Sequence, residues 1–322
     1  MMEDSTLIVA LLEPLTYPLD PSKRIFWGCC FSSLLLASFA VAYRTGRLDI
    51  RGQAAALFNP KYWFNSSTAT DVSLLFTNTS IRLLILVPII GSHLWFTLYV
   101  GRFWQSTLGD APDLSMPFWL IATSYALCFF VIEDLSRFLL HRMMHRSKFL
   151  WHFHQVHHRA TVLTPLTLFR VHPAEQLLYF IRQTCVFGLV SGTFVWIFGR
   201  HLSTWDILGV DALGFLFNAA GANLRHSHVW LSFGYLEKWL ISPAQHQIHH
   251  SKHHGHKNYG VILAIWDRLS GTNIPADNYC QLDFGLEESP RPNYQWATNF
   301  KVLISNYRYS LKRKLNLSAP SE

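Results

Sequence analysis

The 322 residues are half hydrophobic and 15% aromatic, with 12 Trp and 24 Phe, while Asp, Glu, Lys and Arg together make up only 15%, against the roughly 25% of a soluble domain. That balance argues against a soluble globule. It directs the net charge of +7 toward anionic lipid rather than nucleic acid, because the basic residues flank apolar windows instead of lining one soluble face.

The N-terminal stretch "MMEDSTLIVALLEPL" is acidic where a secretion signal would be basic, so no cleavable signal is expected and the first span is retained. Five windows, roughly 25–43, 81–100, 117–140, 177–198 and 205–220, approach the length of about 20 apolar residues that a bilayer requires. The last is short and contains Asp206 and Asp211, which suits a re-entrant or partly buried helix. Of the five cysteines, Cys29, Cys30, Cys128 and Cys185 fall inside apolar windows and Cys280 stands alone; neither a disulfide framework nor a zinc ribbon is expected.

Arg44, Arg47, Arg51 and Lys61 follow the first window and Arg82 opens the second, so this connection is expected on the cytoplasmic side. Alternation from there brings the end of the third window to the cytoplasm with Arg142, Arg146, Lys148 and Arg159, and returns the fifth to it through the short connection "GRHLST". Every histidine-dense stretch then lies on one face, with Lys23 and Arg24 on the other. The fold expected is all-α: polytopic membrane helices carrying a cytosolic helical cap. It forms one integral-membrane unit over 1–322, divided into N-terminal membrane helices (1–116), a catalytic region (117–272) and a basic cytosolic tail (273–322).

The cap holds the chemistry. "HRMMH" spaces His141 and His145 at i, i+4, one face of a helix leaving the third span. "HQVHH" gives His154, His157 and His158, and "HQIHH" repeats the i, i+3, i+4 pattern with His246, His249 and His250. Two such triplets beside an HxxxH point to metal far more than to chance. Eight imidazoles exceed the three or four ligands of one zinc site and suit two metals, although imidazole alone does not choose between iron, zinc, copper and nickel.

The order HxxxH, HxxHH, HxxHH among membrane spans resembles the fatty acid hydroxylase and sterol desaturase superfamily of di-iron membrane enzymes. "EDLSRFLLHRMMH", "LWHFHQVHH", "FRVHPAE", "NLRHSHVWL", "SPAQHQIHH" and "KNYGVILAIWDRLSGT" resemble its blocks in order, from about Phe118 to Thr272. The resemblance implies a cytosol-facing pair of irons that activates dioxygen to hydroxylate a lipid C–H bond, or to desaturate it. It assigns His141, His145, His154, His157, His158, His246, His249 and His250 as metal ligands. A ninth ligand is expected between the second and third clusters, where His226 is preferred to His228.

Around these, Asp134 and Glu133 are candidates to orient a ligating imidazole or to pair with Arg137. His172 precedes Pro173 and Glu175 at the start of a new element, without an assigned role. His152, His253, His254 and His256 read as surface or loop residues, and His93 and His201 receive no role. Gly260 and Gly271 fit tight turns and Asp267 a cap or a contact that orients a neighbour, with plain packing preferred for this stretch. Phe129, Phe130, Trp230 and Trp239 are candidates to line a lipid cavity.

No GxGxxG follows a strand and no haem domain is evident, so electrons are expected from a separate cytochrome- or ferredoxin-type protein. The tail bearing Arg308, Lys312, Arg313 and Lys314 is a candidate docking surface for it. The alternatives are a desaturase with the same site and a non-enzymatic membrane metal carrier. A carrier's site belongs near the bilayer midplane, whereas these clusters follow the spans. The terminal "SAPSE" has no lysine-based retrieval tag, which favours a bacterial inner membrane over the endoplasmic reticulum.

Overall fold

In a chain this apolar, helix is the one open structure that satisfies its own backbone within lipid, and the computed structural model is helical accordingly. It describes residues 4–111, 114, 116–199 and 211–286. The helices are α1 (Asp4–Leu12), α2 (Trp27–Thr45), α3 (Ile50–Leu57), α4 (Pro60–Trp63), α5 (Ser66–Ile81), α6 (Val87–Ile90), α7 (His93–Leu108), α8 (Phe118–Arg146), α9 (Lys148–His158), α10 (Pro173–Phe198), α11 (Asp211–Ala219), α12 (Pro243–His250) and α13 (Ile265–Leu269). Among the described residues β-pairing is limited to two isolated bridges, Leu240 with Leu263 and Ser251 with Phe284.

Four segments are long and apolar enough to cross a membrane: α2, the arm from Ser66 to Leu108, α8 and α10. The second runs well beyond its expected window because α5, α6 and α7 form one bent arm. Pro88 has no N–H to bond back into the preceding turn, and a π turn over Arg82–Leu86 takes up the mismatch just before it. Gly91, at φ 89°, then turns the chain into α7, whose N-cap Ser92 accepts from Trp95 N–H. Residues 200–210, with His201 and the start of the fifth window, and the tail from 287 onward lie outside the described residues; of that window α11 is seen.

α7 and α10 lie against each other with backbones in close approach. A Cβ on Gly188 would collide with the Phe96 ring, and one on Gly192 would stand 2.6 Å from Thr97 O and 2.7 Å from Val100 Cβ. Gly188 and Gly192 are four apart, the small-residue spacing that lets membrane helices meet closely. Trp104 Nε1–H donates to Thr193 Oγ1 at 2.9 Å, while Tyr125 of α8 shares a 2.7 Å hydrogen bond with Ser191 of α10. Tyr125, Val186 and Val190 form a buried cluster with Phe129 packed on it. Lower on the same pair, Glu133 of α8 is gripped by Arg182 of α10 at 2.7 Å and by Arg137 at 2.8 Å.

The spans hold the cap by one end. Asp71, fully buried in the first turns of α5, accepts from Thr167 Oγ1–H at 2.7 Å and pairs with Arg170 at 3.2 Å. Arg170 in turn donates to Val156 O at 2.8 Å and Ser67 O at 3.0 Å. On α8, Asp134 receives the backbone N–H groups of Ile262 and Leu263 and the Trp266 Nε1–H, at 2.9 to 3.0 Å. The end of α8 and the starts of α5 and α10 thus share the cap side, in the alternation read from the basic residues.

One expectation is overturned. Asn223 Nδ2–H donates to Arg24 O at 2.9 Å, three residues before His226, so Lys23 and Arg24 stand on the histidine side rather than opposite it. Arg44, at the other end of α2, covers the Tyr279 ring at 4.3 Å. α2 therefore lies along the cap, its Phe31, Leu35 and Phe39 turned outward, and the basic residues at both its ends keep one side.

A Gly192→Val variant should lose about 1–3 kcal/mol through overpacking; a thermal unfolding midpoint in detergent close to that of the native chain would contradict the close α7–α10 contact.

Candidate metal centre

Four short pieces of backbone deliver the histidines. α8 carries His141 and His145 on one face of its last turns, and Ser147, in extended conformation, ends it and caps α9. α9 then presents His154, His157 and His158. α12 is started by Ser242 and Gln245 in a reciprocal capping box with Pro243 in the first turn, and presents His246, His249 and His250. His226 closes a 3₁₀ turn over Ala222–His226, tied to α12 by Gln247 Nε2–H, which donates to Leu224 O and Val229 O.

All nine expected residues meet, and all are buried. His141, His145, His154, His158 and His249 form one group; His157, His226, His246 and His250 form a second. Within each group one nitrogen per residue lies within 4.8 Å of every other. The groups adjoin: the His158 and His250 rings stack with centroids 4.6 Å apart.

Outer contacts turn the rings. His154 Nδ1–H donates to Glu175 at 2.8 Å, His141 Nδ1–H to Tyr259 O at 2.7 Å, His249 Nδ1–H to Lys257 O at 2.7 Å and His157 Nδ1–H to Arg170 O at 3.3 Å. A proton held at Nδ1 leaves Nε2 as a lone pair. The Nε2 atoms of His154 and His249 are buried without a hydrogen-bond partner, as are His158 Nε2 and both ring nitrogens of His145. In the second group, His226 Nε2 lies 3.1 Å from His246 Nε2 and 3.2 Å from His250 Nε2. Three ring nitrogens so close form a donor set that fits a cation.

Burial also keeps the rings neutral. It depresses His154 and His157 to about 3, and His158, His226, His246, His249 and His250 well below the ordinary imidazole value, with neighbouring imidazoles adding to the effect. A neutral imidazole is the metal-binding form. The donor set therefore fits soft-to-borderline divalent metal, and it contains no carboxylate.

The remaining candidates do other work. His228 packs against Tyr62 and Phe284. His172 caps α10, its Nδ1 accepting from Ala174 N–H. His152 Nδ1–H bonds Lys148 O within its own helix, His254 bonds Ser251, and His253 stands outside both groups. The His256 ring is 6.1 Å from that of His145 but in neither group. His93 bonds Thr184 between α7 and α10. Glu133 pairs with arginines and Asp134 with backbone, so neither touches an imidazole. Trp230 packs on Ala244, Ile248 and Ala276, and Trp239 is exposed beneath Arg268.

Sequence reasoning missed Glu175 as the partner of His154, since 21 residues separate them. It also missed the loop that receives His141 and His249. There Asn258, at φ 53°, bonds Gln245 O and Ile274, and Asp267 takes the N–H groups of Tyr259 and Gly260 at 2.9 and 2.6 Å. Asp267, expected to cap or to orient a neighbour, with packing preferred, lies inside α13 and caps no helix; its service to His141, through Tyr259, was not foreseen.

Residues 126–272 match the family model described as Fatty acid hydroxylase. The chain is 28% identical over 189 residues to an alkylglycerol monooxygenase of Danio rerio, covering 58% of this chain and 38% of that one. It is 27% identical over 163 residues to a very-long-chain aldehyde decarbonylase of Oryza sativa (50% and 58%). It is 30% identical over 159 residues to an ornithine lipid hydroxylase of Rhizobium tropici (48% and 44%). The chain thus spans about two fifths to three fifths of these relatives. No solved structure matches it.

Glu175→Ala should weaken metal retention about 10–100-fold, read as metal content after dialysis against graded chelator; unchanged retention would deny Glu175 its part in holding His154. The metal-free chain should also be acid-sensitive. Folded, these imidazoles bind fewer protons than unfolded ones with the ordinary value of about 6.5. Stability should thus fall as pH drops from about 6.5 toward about 3, the value of His154 and His157; an unfolding temperature flat across that window would contradict neutral burial.

Proposed function

We propose, from the membership of residues 126–272 in the fatty acid hydroxylase family, that this chain is an iron-dependent membrane oxidoreductase that hydroxylates a lipid C–H bond. The observation that carries the reading is the pair of adjoining, buried, all-histidine groups at the ends of apolar helices. His141, His145, His154, His158 and His249 would hold one iron ion, and His157, His226, His246 and His250 the other. When bound, the two ions supply the activation of dioxygen.

The residues do the rest. α8 and α10 expose Leu139, Leu177 and Ile181 near the site end, which suits lateral entry of a lipid chain from the bilayer. Burial of the histidines excludes water from the reacting region. Glu175, Tyr259 O and Lys257 O hold protons at Nδ1 and keep the inward nitrogens free.

Hydroxylation is preferred to desaturation because relatives named for monooxygenation and hydroxylation stand among the matches. Electrons come from a separate cytochrome- or ferredoxin-type donor, and the cap faces the cytoplasm, with a bacterial inner membrane favoured.

The purified full chain should contain two irons, consume dioxygen with lipid only when a reductant is supplied, and give a product heavier by one oxygen atom. His226→Ala should lose iron from one of the two positions, while His228→Ala keeps both. Stoichiometric zinc with no lipid oxidation, or metal translocation across vesicles, would overturn the enzyme reading; loss of two hydrogens would establish desaturation instead.

A further inference from the structure

Beside the second histidine group sits an accumulation of positive charge that the metal centre does not use. Arg225, adjacent in sequence to His226, is only 2% exposed, and its Nε and Nη2 have no hydrogen-bond partner. Its guanidinium covers the Phe217 ring of α11 at 5.0 Å, and that of Arg24 approaches the same ring at 5.9 Å. Asn223 fixes the Arg24 backbone to the turn that carries both Arg225 and His226. Arg137, one turn below His141 on α8, adds a third guanidinium whose charge acts on both.

Among the described residues Asp134 lends Arg225 some negative charge but forms no ion pair with it. Among the described residues neither Arg24 nor Arg225 makes an ion pair. Asp134 is occupied by three N–H donors, and Glu133 by Arg137 and Arg182. A guanidinium does not give up its proton in practice, so the physical remedy for a buried cation with a half-buried cationic neighbour is an anion.

We propose that Arg225 and Arg24, gathered on Phe217, form the subsite for the acidic group, carboxylate or phosphate, of a lipid substrate oxidised close to that group. The assignment rests on the lipid-oxidation reading above. The fork of a guanidinium suits a planar carboxylate or a phosphate through paired, charge-assisted hydrogen bonds. The place of Arg225 next to His226 keeps the acidic group near the metal centre. Phe31, Leu35 and Phe39 of α2, exposed alongside, offer the tail an apolar path. The substrate class is thereby narrowed to anionic lipids functionalised near the headgroup.

The test is binding, independent of turnover. The full chain, metal-loaded as purified and in an uncharged maltoside detergent, is titrated with palmitic acid and with its methyl ester at a pH where the acid is ionised, following tryptophan quenching. The acid should bind about tenfold tighter. Arg225→Gln and Arg24→Gln should each reduce that preference, and Arg225→Lys should keep part of it. Equal affinity for acid and ester in the native chain overturns the proposal without recourse to any variant. A preference that persists in both Gln variants, shown folded by unchanged unfolding midpoints, also overturns it. Inorganic phosphate separates the sources: phosphate that stabilises the native chain but not Arg225→Gln, with no discrimination between acid and ester, assigns the charge to a soluble anion and removes the lipid. An acid that is preferred but never oxidised would defeat the oxygenase reading and leave the subsite standing.

Discussion

Nine imidazoles packed out of water, with their inward nitrogens facing one another, form an arrangement that a folded chain cannot hold cheaply by itself. A buried polar atom without a partner costs about 1–3 kcal/mol, and seven ring nitrogens of the two groups are in that position. Their combined cost is comparable with the whole stability of a typical domain, about 5–15 kcal/mol. Protonation offers no escape, because burial disfavours the charged form at His154, His157 and their neighbours. A cation in each group would relieve the nitrogens that face inward. The ring arrangement, the outer contacts and the attachment of the cap to the spans all serve that end.

The spans and the cap are pinned through side chains that do not touch the centre. Asp134 sits two turns below His141 on α8 and holds the backbone at Ile262 and Leu263, while the Tyr259 carbonyl a few residues earlier receives His141 Nδ1–H. Asp71 and Arg170 do the same for the opposite wall, since Arg170 anchors α9 through Val156 O and offers its own carbonyl to His157. Each loop is thus fixed first to a membrane helix and then to a ligand-type imidazole. The all-histidine donor set differs from helical bundles whose paired irons are held largely by glutamate. Neutral ligands would leave the charge of any bound metal uncompensated. The same excess of positive charge extends outward to Arg225 and Arg24.

The site was legible in the sequence because its geometry is local: i, i+3 and i, i+4 spacing on a helix places rings on one face whatever the rest of the chain does. The four apolar segments were legible for a similar reason, since length and composition mark a helix as able to cross lipid. What depends on contacts distant in sequence was not. Glu175 reads as a helix-start carboxylate until α10 brings it to His154, and Asp134 reads as a partner for a histidine until the loop at 262–266 takes its oxygens. Lys23 and Arg24 were misplaced because charge alternation assumes that every apolar helix crosses, whereas α2 keeps both its ends on the cap side. The Gly188–Gly192 contact was hidden in an apolar run whose spacing means nothing until α7 lies against it.

The central claim is that the two histidine groups hold a binuclear iron centre, and Mössbauer spectroscopy of the full chain enriched in the active iron isotope tests it most directly. Two nitrogen-ligated iron sites in equal proportion, magnetically coupled to each other, are predicted. A single uncoupled iron environment in the fully loaded protein would contradict the account.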